Sequence, residues 1–196
     1  MSWLESAFCR NTVWNGVARR DVLPWALQDA RLRGEVLDIG GGTGAMAEKM
    51  AQLFPGIRVT TTDIDPVMVQ LAQRRLDRLH NADARHADVT ALPFADATFD
   101  CVTSFLMLHH VQDWETAVAE VARVLRPGGV FVGYDLTRTV LARLVHWVDR
   151  SPHRLVSLHE LEPAFMRVGL GLDHVDASAR GHLFRFSATR RLSSPP

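Results

Sequence analysis

The stretch Val36-Leu37-Asp38-Ile39-Gly40-Gly41-Gly42-Thr43-Gly44 limits the folds open to this chain more than any other. A short apolar run ends in glycine, and residues 44–54 then carry Met46, Met50, Leu53 and Phe54 at helical spacing. This reads as a strand, a sharp turn and a helix. Glycines at such a turn supply backbone angles that side chains disfavour and leave room for a ligand to lie against the main chain. The pattern recurs. Ile57–Asp63 alternates as a strand, and Pro66 opens a helix running to Leu79. Arg85–Val89 reads as a third strand and Phe99–Leu106 as a fourth. A helix over Trp114–Leu125 is stopped by Pro127-Gly128-Gly129, and Val130–Asp135 is the fifth strand.

Strands alternating with helices imply right-handed crossovers, hence a mostly parallel, doubly wound α/β sheet of Rossmann-like form. Helical segments are expected near 138–149 and 158–168. The last two runs, Leu172–Ala177 and Leu183–Thr189, are joined by a link too short for a helical crossover, so they should form an antiparallel hairpin. Residues 1–30 carry Trp3, Phe8, Trp14, Val17, Leu23 and Trp25 and read as a helical cap, with the core over 34–190 in a single domain, 1–196.

Charge and composition narrow the partners. Lys+Arg equals Asp+Glu at 22 each, so no basic excess points to nucleic acid. Gln73-Arg74-Arg75-Leu76-Asp77-Arg78 reads as a solvated helix face. No apolar stretch approaches the roughly 20 residues of a membrane span, and the first residues lack the layout of a signal peptide. Cys9 and Cys101 are expected as reduced thiols in a cytoplasmic protein. His146, His153 and His159 follow no common ligand spacing, so no metal is expected.

The glycine turn by itself does not choose a cofactor. Gly40, Gly42 and Ala45 also satisfy a dinucleotide G-x-G-x-x-A pattern. Asp63, nineteen residues beyond Gly44, reads either as an acceptor for both hydroxyls of a ribose or as a solvated strand end. Asp65 suits the cap of the following helix. An NAD(P) oxidoreductase would need a tyrosine-lysine pair or its equivalent, whereas Lys49 is the only lysine and Tyr134 the only tyrosine.

Taken in order, VLDIGGGTG, TTDIDP, HADVTALPFADATFDCVTSFLMLHHV and EVARVLRPGGVFVGYD resemble the motifs of class I S-adenosylmethionine (AdoMet)-dependent methyltransferases of the ubiquinone-biosynthesis-like group. The resemblance covers residues 34–190. It implies a seven-stranded sheet of order 3-2-1-4-5-7-6 with strand 7 antiparallel. It also implies that Asp38, Gly40, Gly41, Gly42 and Gly44 line the methionine moiety, that Asp63 binds the ribose and that Ile64 packs on the adenine. Asp88 would accept from the adenine amino group, and the Val89 N–H would meet a ring nitrogen. The family pattern accepts many residues at position 41.

The expected reaction is in-line transfer of the AdoMet methyl to an O, N or C atom of a small organic acceptor, with S-adenosylhomocysteine as product. Such an enzyme gains most of its rate by alignment and desolvation. Where the acceptor must lose a proton, His109 or His110, after the fourth strand, is the candidate base; the pair reads equally as a structural turn. Tyr134 and Asp135 at the end of strand five, with Trp14, Asn15 and Trp147, are candidates for the acceptor pocket; strand-end solvation is the alternative for Tyr134 and Asp135, and packing for the two tryptophans. A non-catalytic AdoMet-binding subunit is the other reading.

Overall fold

The structure is a computed structural model and describes residues 23–27, 32–137, 154–177 and 182–192. In chain order these form α1 (Leu23–Leu27), β1 (Glu35–Ile39), α2 (Ala45–Leu53), β2 (Arg58–Asp63), α3 (Pro66–Leu76), β3 (Ala82–His86) and β4 (Phe99–Phe105). After a single 3₁₀ turn at Leu108–His110 come α4 (Trp114–Val124), β5 (Leu125–Leu136), α5 (Leu158–Arg167), β6 (Leu170–Ala177) and β7 (Leu183–Arg190).

The sheet order is β3-β2-β1-β4-β5-β7-β6, as the resemblance implies. β3, β2, β1, β4 and β5 run parallel, and β7 is antiparallel to both β5 and β6. Alternation along the strands sorts the core onto two faces. Leu37, Ile39, Val102 and Phe131 meet Trp114, Val118 and Val121 of α4 and Phe165 of α5 on one face. Val36, Val59 and Val132 meet Leu23 of α1, Met50 of α2 and Leu76 of α3 on the other. β1 and β4 are covered on both sides, so most of their residues are buried, the polar Asp38, Thr103 and Ser104 among them.

Local chemistry sets the helix starts. Asp65 caps α3 by accepting from Val67 N at 2.8 Å, and Pro66 sits in the first turn. Asp113 caps α4 through Thr116, whose hydrogen bonds hold that carboxyl below its ordinary pKa. Ser157 N donates to Glu160 at the head of α5.

Three boundaries differ from expectation. β3 occupies Ala82–His86, so Asp88 and Val89 lie beyond it. Its start is set by Asn81, whose amide donates to Ala51 O and Ile57 O, each at 3.1 Å, before pairing with β2 begins. α3 stops at Leu76 rather than Leu79. The Pro127-Gly128-Gly129 turn lies inside β5, which begins at Leu125 directly after α4. Between the pairs Phe99–Leu125 and Cys101–Val130, residues 126–129 bulge opposite Asp100, with Gly128 at φ 77°. Most of the expected cap, and the expected helix near 138–149, lie outside the described residues.

Candidate functional site

The carboxyl ends of the five parallel strands share one edge of the sheet, where ligands bind in open α/β folds. There β1 runs into the glycine turn, with Gly40, Gly42 and Gly44 at φ 62°, 54° and 74°. These left-handed angles suit glycine. Among the described residues, a Cβ at Gly42 would meet nothing within 4 Å, so the turn faces open space. At Gly40 it would run into Met107. No side chain caps α2 at Gly44, so the first-turn N–H groups look into the same space. Arg75 braces the turn from behind, donating to Thr43 O at 2.8 Å and to Glu48 at 3.1 Å. The arginine-rich helix face is therefore in part a structural support for the turn.

Asp63, at the end of β2, accepts from Gly42 N and from Asp65 N, each at 2.9 Å. The acidic strand end is thereby fastened to the glycine turn, 21 residues away in sequence. Burial pushes its pKa up, against the pull of those two N–H groups. Beside it Ile64 is 61% exposed, a large apolar side chain in the open, and Val67 is exposed one turn on. Asp88 is exposed and accepts from Thr90 N and Thr90 Oγ1 at 2.8 and 2.7 Å, an Asx turn. Val89 is half-buried against the α4 side of the core.

Asp38 is fully buried and bonded to Thr61 and Thr103. Burial raises its pKa from 3.8 to about 6, the two hydroxyls opposing the shift. Threonines 60 to 62, a polar run inside a buried strand, are the sequence signal for this network, which motif reading passed over.

The two histidines separate. His109 is 3% exposed, and its Nδ1 meets the carboxylate of Asp135, itself fully buried. That carboxylate also accepts from Leu136 N at 2.7 Å and His109 N at 3.3 Å, so Nδ1 is the donor and the ring is fixed in orientation. His110 is half-buried, its ring 4.0 Å from that of His109. Tyr134 is buried between Trp25 of α1 and Phe105 of β4, at centroid distances of 5.8 and 5.5 Å. Burial pushes its phenol pKa up, so the hydroxyl stays protonated. Arg185 of β7 holds Trp25 in place, donating to its carbonyl at 2.8 Å and lying over its ring. Trp14, Asn15, His146, Trp147 and His153 lie outside the described residues.

Among the described residues there is no group of His, Cys, Asp and Glu able to hold a metal ion, and no helix is long and apolar enough to cross a membrane.

Residues 37–133 match a family model described as a methyltransferase domain. The ubiquinone/menaquinone biosynthesis C-methyltransferase UbiE of Klebsiella pneumoniae is 36% identical over 131 residues, covering 64% of this chain and 52% of that protein. The demethylmenaquinone methyltransferase of Thermus thermophilus is 37% identical over 116 residues, covering 58% and 51%. The chain thus spans about half the length of the curated relatives it matches. Among solved structures, a methyltransferase complex with the Trm112 activator of Haloferax volcanii aligns with a TM-score of 0.82 at 20% identity, over 98% of this chain and 99% of that one. At that identity the likeness is one of fold. The family match falls on the methyltransferase side of the choice that the glycines leave open.

Proposed function

We propose that this chain, which belongs to the class I AdoMet-dependent methyltransferases, transfers the AdoMet methyl group to an oxygen, nitrogen or carbon atom of a small organic acceptor. The observation that carries the reading is the bond from Gly42 N to Asp63: it joins an open glycine turn to an acidic strand end with an exposed apolar residue beside it. The donor set fits AdoMet. The open space before Gly42 takes the methionine and ribose, the remaining lone pairs of Asp63 take ribose hydroxyls, and Ile64 offers an apolar face to the adenine. Asp88 and the Val89 N–H would meet the adenine edge, the Asp88 carboxylate using the oxygen that Thr90 leaves. Bound there, the cofactor supplies a methyl already activated by its sulfonium.

The chain's own work is then to hold, orient and exclude water. Asp38 presents negative charge beneath the turn toward the cofactor's cationic groups. His109, pinned by Asp135, positions the half-buried ring of His110, which we assign as the group nearer the acceptor and able to take up a proton. Tyr134 contributes a packed wall with Trp25 and Phe105. The relatives' names put carbon acceptors first among those to test. A single domain acting in the cytoplasm on a small molecule is part of the same reading, supported by the free, buried thiol of Cys101.

Calorimetry with AdoMet, S-adenosylhomocysteine and NAD tests it. AdoMet and its product should bind, and NAD binding without any response to AdoMet would overturn the reading. An acceptor series of hydroquinones, phenols and amines, scored by S-adenosylhomocysteine release, then separates an enzyme from a non-catalytic AdoMet-binding subunit.

Two quantitative results are expected. Asp63→Ala should weaken AdoMet binding by about 2 kcal/mol, the worth of hydrogen bonds to a charged group; unchanged affinity removes Asp63 from the ribose site. AdoMet affinity should also rise with pH. With its pKa at about 6, Asp38 is mostly protonated at pH 5 and mostly ionised at pH 7. Since the ionised form attracts the cationic ligand, affinity should grow by roughly tenfold over that range and flatten in Asp38→Asn. A wild-type profile as flat as that of the variant would contradict this role.

A further inference from the structure

Asp38 stands directly between two threonines. In the parallel register of the sheet it pairs with Thr61 of β2 on one side and with Thr103 of β4 on the other. Thr61 Oγ1 donates to Asp38 Oδ2 at 2.9 Å and Thr103 Oγ1 donates to Oδ1 at 2.8 Å, so each carboxylate oxygen receives one hydroxyl. All three residues are buried. Among the described residues, the titratable groups coupled to this cluster are Asp63 at the end of β2, whose charge acts on Asp38, and the phenol of Tyr134 of β5, on which the charge of Asp38 acts.

The clamp also reaches the glycine turn. A Cβ on Gly41 would run into Thr61 Oγ1 and Asp38 Oδ2, the two atoms of one hydrogen bond. Unlike its neighbours Gly40 and Gly42, Gly41 does not have a left-handed φ. Glycine is therefore required at 41 for space, where at 40 and 42 the backbone conformation demands it. The turn above is tied to the same strand, since Gly41 N donates to Thr62 O at 2.9 Å.

We infer that Thr61 and Thr103 are positioning residues for cofactor binding: they clamp the Asp38 carboxylate beneath the glycine turn, and this clamp is what fixes position 41 as glycine in this chain. The inference rests on the AdoMet reading above. It adds that the residue between the glycines and the residue at 61 form one unit, so they must be changed together. A free carboxylate at 38 would rotate among several orientations and lose the alignment that a bound cation exploits, whereas two hydroxyl donors from flanking strands leave it one.

A double-mutant cycle, read as AdoMet affinity by calorimetry on the whole chain, tests the coupling. Gly41→Ala and Thr61→Ala should each weaken binding by about tenfold, the factor expected for one hydrogen bond to a charged group. The double variant should be no weaker than Thr61→Ala within about twofold, because the added methyl then enters the space that the hydroxyl vacated and Asp38 Oδ2, no longer held by Thr61, can turn away from it. Losses that multiply to about a hundredfold would overturn the inference. Thr61→Ser should keep wild-type affinity while Thr61→Val does not, and equal losses in both would point to packing alone.

A ligand-free measurement separates this inference from the cofactor reading. In the carbon NMR titration of the Asp38 carboxyl, Thr61→Val should move the midpoint upward and Thr61→Ser should restore it, since a hydrogen bond to the charged form favours ionisation. An unmoved midpoint overturns the clamp even if AdoMet binds. Failure of the wild type to bind AdoMet, with the midpoint moving as described, overturns the cofactor reading and leaves the carboxylate clamp standing.

Discussion

A Gly42→Val variant should lose AdoMet binding by more than about a hundredfold while remaining folded. The two effects separate because of where the new side chain goes. Gly42 has φ 54°, a left-handed value that costs a β-branched residue roughly 1–2 kcal/mol. Among the described residues no atom lies within 4 Å of the added Cβ, so none of them has to move for it. That volume is where the reading of the site puts the cofactor, against the main chain between the turn and Asp63. For a chain of this length a cost of 1–2 kcal/mol corresponds to a fall in Tm of only about 2–8 °C. Calorimetry with AdoMet and a thermal melt on the same sample check both halves. Binding retained within tenfold would mean that the ligand does not cross the turn. Gly42→Ala should lie between wild type and valine, since it carries the strain with less bulk.

The other large effect is on stability. Phe165→Ala should cost about 3–5 kcal/mol, the range for removing a fully buried phenylalanine. Phe165 packs α5 on the sheet together with Leu161 and Ala164: its ring lies 5.6 Å from Phe131 of β5 and 5.5 Å, edge to face, from Phe186 of β7. Phe131 and Phe186 are themselves 4.9 Å apart, so the three rings form a triangle spanning a helix and two antiparallel strands. A cavity there resists filling by one neighbour moving, because Phe131 and Phe186 stay packed against each other at 4.9 Å on adjacent strands. Pro163 already weakens α5 from within by removing a backbone donor, which makes its tertiary anchor count for more. Urea denaturation of the variant and the wild type measures the difference. A loss below about 1 kcal/mol would show that the site collapses freely, contrary to the packing described.

Periodicity and glycine placement gave β1, α2, β2, β4 and α4 nearly to the residue, because each is a local pattern with a local stop. The hairpin β6–β7 was equally legible from the short link between two apolar runs. The third strand was not, since Ala82–His86 is a short edge strand whose limits are set by Asn81 and by pairing with β2 rather than by its own residues. The Pro127-Gly128-Gly129 turn read as the boundary before a strand and proved to be a bulge within one, a distinction that only the partner β4 can make.

The site divides the same way. Asp38, Gly40, Gly42, Gly44 and Asp63 stand out in the sequence because carboxylates and glycines fall at the ends of successive strand patterns. What they do to one another does not: that Gly42 holds Asp63, that Arg75 braces Thr43, and that Thr61 and Thr103 grip Asp38 are bonds between residues 21 to 65 positions apart. The same holds for the paired histidines, alike in sequence, of which one is pinned by Asp135 and buried while the other stays half-buried. The order of elements and the glycine turn are legible in the chain alone, since both rest on spacing along it, whereas the glycines leave AdoMet and a dinucleotide equally open. Which polar side chains meet follows from the fold alone, because hydrogen bonds between strands depend on register across the sheet.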